Sequence, residues 1–218
     1  MKFQRFLREF RDQPVIDSKM LAPFGEGKKY GAVQLSRWGQ EGKVTQLRRG
    51  YYLLTPPYRK QEPSLLYMAN ALYHPSYVSL EMVLAKHGMI PEGVVVATSV
   101  TTRRPTEFGG PLGQFQYRHV KRELFFGYYN TATGPLPTLV AYPEKALLDL
   151  IYFTPGPITK EWMREMRFQN LEGMDMERLV DFAKRFKSQK ISQAVALFLT
   201  YRNSALAEFE TFPHRTKT

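Results

Sequence analysis

Hydrophobic spacing near the N-terminus predicts three helices. Within residues 1–13, apolar side chains recur at positions i, i+3, i+4 and i+7, which form one face of a helix, while arginines lie on the other face. A shorter second helix is expected next, with Asp17 or Ser18 as its N-cap and an end near Pro23. The third predicted helix follows the "GEGKK" segment, where helical spacing resumes.

The third helix is followed by a pattern typical of a β-hairpin. Leu35 and Trp38 are one turn apart and are expected to anchor the helix in a core, and Gly42 is expected to end it as a left-handed C-cap. The β-branched and apolar runs on either side of Gly50 predict two strands joined by a tight turn. Winged helix-turn-helix domains have three helices and a hairpin in this order, so we predict such a DNA-binding domain over residues 1–58.

A proline-rich stretch, residues 55–63, is predicted to link this domain to a second one over residues 63–218. Three strands are expected there, in the segments "GVVVATSVTT", "GQFQYRHV" and "ELFFGYY". Helices are expected to start at Pro63, at Ser79 as an N-cap, at Pro143 and after Thr159. The predicted fold class is therefore α+β: an N-terminal winged helix-turn-helix domain followed by a mixed α/β C-terminal domain that ends in helices.

Basic residues are concentrated in the first of these domains. The chain has 31 Lys and Arg against 20 Asp and Glu, a net charge of +11, and residues 1–60 hold 13 of the basic residues but only 5 of the acidic ones. A basic excess confined to one predicted domain favours a nucleic-acid-binding module over a uniformly cationic enzyme. Double-stranded DNA is therefore the partner that we expect.

Composition also excludes several kinds of site. The chain has no cysteine, which excludes disulfides, thiolate metal sites and cysteine nucleophiles. The four histidines show no paired spacing and no nuclease-like carboxylate cluster is evident, so we expect no metal, no cofactor and no catalytic residues. No apolar run is long enough to span a membrane, and the N-terminus lacks the apolar segment of a signal peptide, so we expect a cytoplasmic protein without a membrane partner.

The candidate DNA-binding residues lie on the third helix and at the hairpin turn. They are Lys28, Lys29, Tyr30, Gln34, Arg37, Arg48 and Arg49. The arginine and glutamine on the helix are suited to read guanine and adenine edges, and the two lysines are expected on phosphates near the positive helix N-terminus. The two hairpin arginines are expected to contact phosphates or to enter a narrow minor groove. A solvated polar surface is the alternative interpretation of both groups.

A secondary basic patch is predicted in the second domain. Its members are Arg103, Arg104, Arg118, Lys121 and Arg122. These residues either guard a solvated sheet edge with charge or extend the surface that contacts DNA or a partner protein. His119, within the same segment, is expected to be structural. Glu144 and Lys145 are expected to be ordinary charges at the end of a helix.

The order of several segments resembles that of the AbiEi antitoxins of bacterial type IV toxin-antitoxin systems. The resemblance covers about residues 1–155 and is carried by "RRGYYLL", "YVSLEMVLAKHGMIPE", "VTTRRPTEF", "FQYRHV" and "AYPEKALLDLIY". It implies a transcriptional autoregulator whose winged helix binds inverted repeats in its own promoter. It also implies that the C-terminal domain counteracts a nucleotidyltransferase toxin, either by binding it or without touching it.

On these grounds we expect a repressor and antitoxin that is not an enzyme. Two chains, or two winged domains, would occlude the promoter at an inverted repeat. One alternative is a nucleic-acid-processing enzyme whose basic N-terminal module delivers substrate to the second domain. Another is a module that binds only proteins, which predicts no salt-dependent affinity for DNA. Cleavage or nucleotide transfer by the pure chain in the presence of Mg²⁺ would distinguish that enzyme from a repressor.

Overall fold

The protein is a mixture of helices and sheet. A computed structural model describes residues 1–25, 30–131 and 138–211, with side chains through Ser204. The fold is α+β, about 47% helical and 21% strand, with helices at both ends, which confirms the predicted class at this level. Within the described ranges, no helix is long and apolar enough to cross a membrane.

The described residues of the N-terminal region form two α-helices, a 3-10 helix and a three-stranded sheet. Its elements in chain order are α1 (Phe3–Phe10), β1 (Ile16–Asp17), a 3-10 helix (Ser18–Phe24), α2 (Tyr30–Gln40), β2 (Val44–Arg48) and β3 (Tyr51–Leu54). The strands pair antiparallel in the order β1-β3-β2. The first and third predicted helices are α1 and α2, and both strands of the predicted hairpin are present. The two-residue strand β1 lies outside the sequence prediction, because so short a segment shows no alternation.

The second predicted helix forms as a 3-10 helix rather than as an α-helix. Asp17 is its N-cap, since its Oδ1 accepts a hydrogen bond from the backbone N–H of Lys19 at 2.9 Å. Pro23 lies inside the helix and has no N–H to continue the hydrogen bonding. Gly42 and Gly50 have positive φ angles of 70° and 86°, as predicted for the end of the helix and for the hairpin turn.

An aromatic cluster holds α1 against α2. Phe6 and Trp38 are buried, and their ring centroids are 4.5 Å apart. Leu35 is buried one turn before Trp38, so both predicted anchors of this helix face the core. Gly31 allows α2 to approach the 3-10 helix closely, because a Cβ at this position would lie 2.7 Å from the carbonyl oxygen of Ser18. This packing leaves the opposite face of α2 turned toward solvent.

The rest of the described chain forms a six-stranded sheet with helices on both faces. Its strands are β4 (Ser76–Val78), β5 (Val96–Thr101), β6 (Thr106–Gly110), β7 (Gly113–His119), β8 (Tyr128–Thr131) and β9 (Thr138–Ala141). Its helices are α3 (Leu65–Leu72), α4 (Leu80–Lys86), α5 (Pro143–Phe153), α6 (Lys160–Glu165), α7 (Met176–Phe186) and α8 (Gln189–Thr211), with two short 3-10 helices, Arg122–Leu124 and Leu171–Gly173. The strand order is β6-β7-β5-β4-β9-β8; β5 pairs parallel with β7, and β4 with β9, whereas the other neighbours are antiparallel.

The two faces of this sheet contact different helices. On one face, the hydroxyl of Tyr117 in β7 donates to the carbonyl oxygen of Ala69 in α3 at 2.7 Å. On the other face, the hydroxyl of Tyr77 in β4 donates to Asp149 of α5 at 3.0 Å. Helices α7 and α8 pack in turn against α5. The sheet is therefore buried between α3 on one side and the α5 layer on the other.

The hairpin formed by β2 and β3 packs against the six-stranded sheet, and we call this contact the seam. Leu47 and Leu53 of the hairpin belong to the core built on the six-stranded sheet, not to the N-terminal aromatic cluster. Gly110 of the edge strand β6 makes the contact close, because a Cβ at this position would lie 2.8 Å from the carbonyl oxygen of Leu47. The predicted domain boundary between residues 58 and 63 stays a prediction, and the seam joins the two regions by buried side chains.

Some local predictions in the second region are wrong. The segment "ELFFGYY" is not a single strand, because it begins in the 3-10 helix Arg122–Leu124 and β8 starts only at Tyr128. A short run of bulky apolar residues fits a buried irregular segment as well as a strand. Ser79 stands just before α4, but its side chain does not cap the helix and donates to Asp149 at 2.7 Å instead. Strands β4, β6 and β9 are absent from the sequence prediction.

Candidate nucleic-acid interface

The outer face of α2 is a well-exposed part of the candidate site. The side chain of Arg37 is 73% exposed, and Val33, one turn earlier, is 67% exposed. Gln34 and Tyr30 are half-buried beside them. With its other side fixed in the aromatic cluster, α2 presents a surface centred on a guanidinium group to the solvent.

Arg37 is paired with the carboxylate of Glu41, which lies just after the end of α2. Its Nε donates to Oε1 of Glu41 at 3.2 Å, and Nζ of Lys43 donates to Oε2 of the same carboxylate at 2.6 Å. The hydrogen bond from Lys43 is the main reason that the pKa of Glu41 lies below its ordinary 4.5, and Arg37 adds to the effect. Glu41 is therefore ionised at neutral pH and competes with any phosphate or base edge for the guanidinium of Arg37. The i, i+4 spacing of the pair is visible in the sequence.

Arg49 lies at the tip of the hairpin. It is exposed, and the φ of 86° at Gly50 makes the tight turn that follows it. Among the residues that the structure describes, Arg49 has no carboxylate partner and no aromatic ring beneath its guanidinium. It is therefore available to a phosphate without breaking an internal contact.

Arg48, the neighbouring arginine, turns toward the six-stranded sheet. Its Cζ lies 4.8 Å from the ring centroid of Phe108, 4.9 Å from that of Tyr51 and 5.7 Å from that of Tyr73. The pairing of β2 with β3 is irregular between Gln46 and Arg48, and this irregularity changes the direction of the Arg48 side chain. Because the faces of aromatic rings attract cations, Arg48 joins the hairpin to the sheet at the seam. Its expected contact with DNA stays a prediction.

The structure divides the secondary basic patch. Arg103 and Arg104 are exposed in the loop between β5 and β6, and we call residues 102–105 the seam loop. The Cζ of Arg103 lies 4.4 Å from the centroid of the Tyr73 ring, which also contacts Arg48. These two members of the patch therefore lie beside the hairpin.

The other three members lie in β7 and just after it. Arg118 is on the opposite face of the sheet, where its Nε donates to Gln116 at 3.3 Å and its Cζ lies 5.8 Å from the ring centroid of Phe153 in α5. Lys121 and Arg122 are exposed beyond the end of β7. Arg118 is therefore on the face opposite to the ring of Tyr117, because side chains alternate between the two faces along a strand.

A separate group of polar side chains is fully buried. Lys145 and Asp149, one turn apart on α5, form an ion pair in which neither side chain has any exposed surface. Tyr77 and Ser79 donate to Oδ2 of Asp149 at 3.0 Å and 2.7 Å. Lys145 also donates to the Tyr77 hydroxyl at 2.7 Å. The four side chains therefore satisfy one another inside the protein, and we call them the buried network.

Burial dominates the ionisation of the buried network. It raises the pKa of Asp149 and lowers the pKa of Lys145, because a low-dielectric interior disfavours the charged form of each, while their mutual attraction opposes both shifts. Burial is also the main reason that the pKa of Tyr77 lies well above its ordinary value, and the nearby Asp149 adds to it. Through the hydrogen bonds of Tyr77 with Asp149 and Lys145, the network joins β4 to α5 inside the protein.

Glu144 is buried as well. It is 1% exposed and accepts hydrogen bonds from the backbone N–H of Asp175 at 2.7 Å and from Nη1 of Arg178 at 3.4 Å. The prediction that Glu144 and Lys145 are ordinary helix-end charges is therefore wrong about their surroundings, although both lie in the first turn of α5. The i, i+4 spacing of the ion pair is a signal in the sequence. No local pattern indicates that Ser79, which is 70 residues before Asp149, donates a hydrogen bond to the carboxylate of Asp149.

Comparison with known proteins supplies no family for this chain. No family model matches it, and no curated protein matches it. Within the part of the chain that the structure describes, no three side chains of the metal-binding types come together. Lys28 and Lys29, two of the predicted phosphate contacts, lie outside the described residues.

Proposed function

We propose that the chain is a DNA-binding transcriptional autoregulator and antitoxin of the AbiEi type. In this proposal residues 1–58 form a winged helix-turn-helix domain, with α2 as the recognition helix and the β2–β3 hairpin as the wing. The second region counteracts a nucleotidyltransferase toxin. Two chains, or two such domains, occupy an inverted repeat in the promoter of the chain's own operon.

The arrangement of α2 and the hairpin carries the DNA-binding part of the proposal. Trp38 anchors one side of α2, and the opposite side exposes Arg37. The chain then passes through the turn at Gly42 into β2, and the hairpin exposes Arg49 at its tip. A recognition helix needs an anchored side and a free side that enters the major groove. An adjoining hairpin with an exposed cation suits the neighbouring phosphates.

Each residue has a distinct role in the proposal. Arg37 and Gln34 read bases, because arginine pairs bidentately with guanine and glutamine with adenine. Arg49 contacts phosphate, as do the two lysines before α2. Arg48 also positions the wing, since aromatic rings from both regions lie around its guanidinium, and its contact with DNA remains a prediction.

Binding of the pure chain to the DNA immediately upstream of its own gene tests this proposal. Footprinting is expected to show protection of an inverted repeat, and the logarithm of the binding constant is expected to fall linearly with the logarithm of the salt concentration. An unrelated duplex of equal length is the control and is expected to bind more weakly. Equal affinity for both duplexes would remove sequence-specific reading, and the absence of salt-dependent binding would remove DNA binding altogether.

The antitoxin part is supported by the resemblance of "YVSLEMVLAKHGMIPE" and "PEKALLDL" to AbiEi antitoxins. Co-expression with a nucleotidyltransferase encoded beside this gene is expected to restore growth that the toxin alone arrests. The matched control is the Arg37→Ala variant, which is expected to rescue growth equally because the proposal assigns neutralisation to the second region and not to α2. Continued arrest with the wild-type chain would contradict the antitoxin role, and a pull-down of the toxin separates direct binding from action without contact.

A further inference from the structure

We propose that Val33, on the outer face of α2, reads a thymine by packing its side chain against the 5-methyl group of that base in the major groove. This contact rests on the proposed DNA-binding function and assigns one base of the sequence that α2 recognises. It makes Val33 a specificity-determining residue in addition to Arg37 and Gln34, which read polar base edges.

Val33 differs in exposure from the other large apolar side chains of α2. It is 67% exposed, whereas Leu35 and Trp38 are 0% and 3% exposed and Tyr30 is half-buried. Val33 belongs to neither of the two apolar clusters that the described residues form. Its methyl groups therefore face water in the free protein, and covering them with another apolar group is favourable.

The position of Val33 on the helix matters more than its exposure, because isolated exposed apolar residues are common on protein surfaces. Tyr30, Val33, Arg37 and Gln40 follow one another at intervals of three or four residues, so they form one ridge along α2. This ridge is opposite to the side that Trp38 anchors. If α2 is the recognition helix, Val33 therefore lies on the face that enters the major groove.

The ion pair of Arg37 helps to leave Val33 uncovered. Side chains on a helix lean toward its N-terminus, so a long side chain at position i+4 commonly covers the residue at position i. In this protein Nε of Arg37 donates to Oε1 of Glu41 at 3.2 Å, which holds the guanidinium in the C-terminal direction. The apolar side chain and the cation are therefore presented one turn apart on the same ridge.

Thymine is the base that offers an apolar group to such a side chain. Its 5-methyl group projects into the major groove, where the edges of the other three bases present hydrogen-bond donors and acceptors but no methyl group. Valine has few rotamers to lose, so packing against this group costs little side-chain entropy. At an exposed helix position valine also favours the helix less than alanine does, so the stability of α2 gives no reason for a valine there.

The spacing of Val33 and Arg37 limits where the thymine lies. Four residues of α-helix rise by about 6 Å, and successive base pairs are about 3.4 Å apart, so the two contacts are about two base pairs apart when the helix follows the groove and closer when it is inclined. The operator is therefore expected to contain this thymine within about two base pairs of the guanine that pairs with Arg37.

Replacement of single thymines of the upstream DNA by deoxyuridine tests the proposal with the full-length chain. The exchange removes the methyl group and keeps the base pairing and the phosphates. At one thymine of each half-site it is expected to weaken binding of the wild type by about threefold to fivefold, the loss that corresponds to one buried methyl group. Val33→Ala is expected to bind the thymine operator more weakly by a similar factor and to lose the response to that exchange. Its salt slope is expected to equal that of the wild type, because no phosphate contact is lost.

Val95→Ala is the matched control, because it makes the same truncation at a valine that is 77% exposed and lies outside α2. It is expected to keep the wild-type affinity and the full response to deoxyuridine. Urea unfolding is expected to give Val33→Ala at least the stability of the wild type, since the side chain is exposed and alanine favours a helix. Thymine and deoxyuridine are compared within each variant, so this comparison does not depend on equal stability.

The outcomes separate this contact from the proposed function. If Val33→Ala responds to every deoxyuridine exchange as the wild type does, or binds with wild-type affinity, the thymine contact is overturned and a regulator remains that reads bases through its polar side chains. Loss of the response in Val95→Ala would also overturn it, because the effect would then not belong to α2. If the wild-type chain itself shows no sequence-specific binding to the upstream DNA, the proposed function and the thymine contact both fail.

Discussion

The guanidinium carbon of Arg48 lies 4.8 Å from the ring centroid of Phe108, so a cation of the β2–β3 hairpin contacts an aromatic ring of the edge strand β6. The carbonyl oxygen of Leu47 approaches Gly110 of the same strand, where a Cβ would be 2.8 Å away. Together these contacts fix the direction of the hairpin relative to the sheet. Because the hairpin also follows α2 directly, the contacts of Leu47 and Arg48 with β6 influence the directions in which α2 and the tip of the hairpin point.

Replacing Arg48 is expected to loosen the seam. In Arg48→Ala, removal of the cation from its aromatic rings is expected to lower the free energy of unfolding by about 1–2 kcal/mol. Arg49→Ala is the matched control on the same hairpin, and its free energy of unfolding is expected to change by less than about 0.5 kcal/mol because the side chain is exposed. Urea unfolding measures both. Equal stability of the two variants would show that the aromatic contacts do not hold the hairpin.

The buried network is expected to tolerate joint replacement of the ion pair better than removal of one partner. Asp149→Leu and Lys145→Met are each expected to lower the free energy of unfolding by about 3–5 kcal/mol, because each leaves the other charge buried without its partner. The double variant is expected to lose less than the sum of the two single losses. Denaturant unfolding of the three variants measures this coupling, and strictly additive losses would contradict it.

Two glycines of α2 provide a test of how closely this helix packs. At Gly31 a Cβ would lie 2.7 Å from the carbonyl oxygen of Ser18 and 2.9 Å from Cβ of Leu21, so Gly31→Ala is expected to destabilise the protein by about 1–3 kcal/mol. At the exposed Gly39 the nearest atom would be 3.8 Å away. Gly39→Ala is therefore expected to stabilise the protein by up to about 1 kcal/mol, since alanine favours a helix more than glycine does. Thermal unfolding distinguishes the two, and stabilisation by both substitutions would contradict the close approach.

Removing the charge of Glu41 is expected to strengthen DNA binding. Because hydrogen bonds keep the pKa of Glu41 below 4.5, the carboxylate holds Arg37 at neutral pH. Glu41→Gln frees that guanidinium and removes a negative charge near the duplex, so a several-fold increase in affinity is expected at pH 7. The gain is expected to disappear in the Arg37→Ala background if it comes from release of Arg37. A gain of the same size in that background would point to general electrostatics instead.

Arg37 and Arg49 are expected to differ in what their replacement does to specificity. Arg37→Ala is expected to reduce discrimination against a substituted base pair by about 1–3 kcal/mol, because it removes a bidentate base contact. Arg49→Ala is expected to weaken binding to every duplex alike and to reduce the salt slope by about 1, because it removes a phosphate contact. Titrations with the operator, a point-substituted operator and an unrelated duplex measure both effects. The roles are misassigned if Arg49→Ala changes the ratio of affinities while Arg37→Ala does not.

Local chemistry was enough to predict the elements that carry the proposed DNA site. The helical spacing that includes Leu35 and Trp38 predicts α2 and its buried side, and Gly42 and Gly50 predict the helix end and the turn. These signals act within one or two turns of chain, so they do not depend on the rest of the protein. The same reasoning predicts the strand in "GQFQYRHV", where Phe115 and Tyr117 are buried.

The tertiary structure alone decided which partners the charged side chains have. Arg48 and Arg49 are adjacent and identical in type, yet one is enclosed by aromatic rings from both regions and the other is exposed at the tip. The sequence likewise predicts that Lys145 lies in a helix. Its burial among side chains that are distant in sequence results from the packing of α5 on the sheet. Local periodicity specifies which positions share a face, whereas the groups that cover that face come from distant segments whose register and approach are set only when the whole core packs.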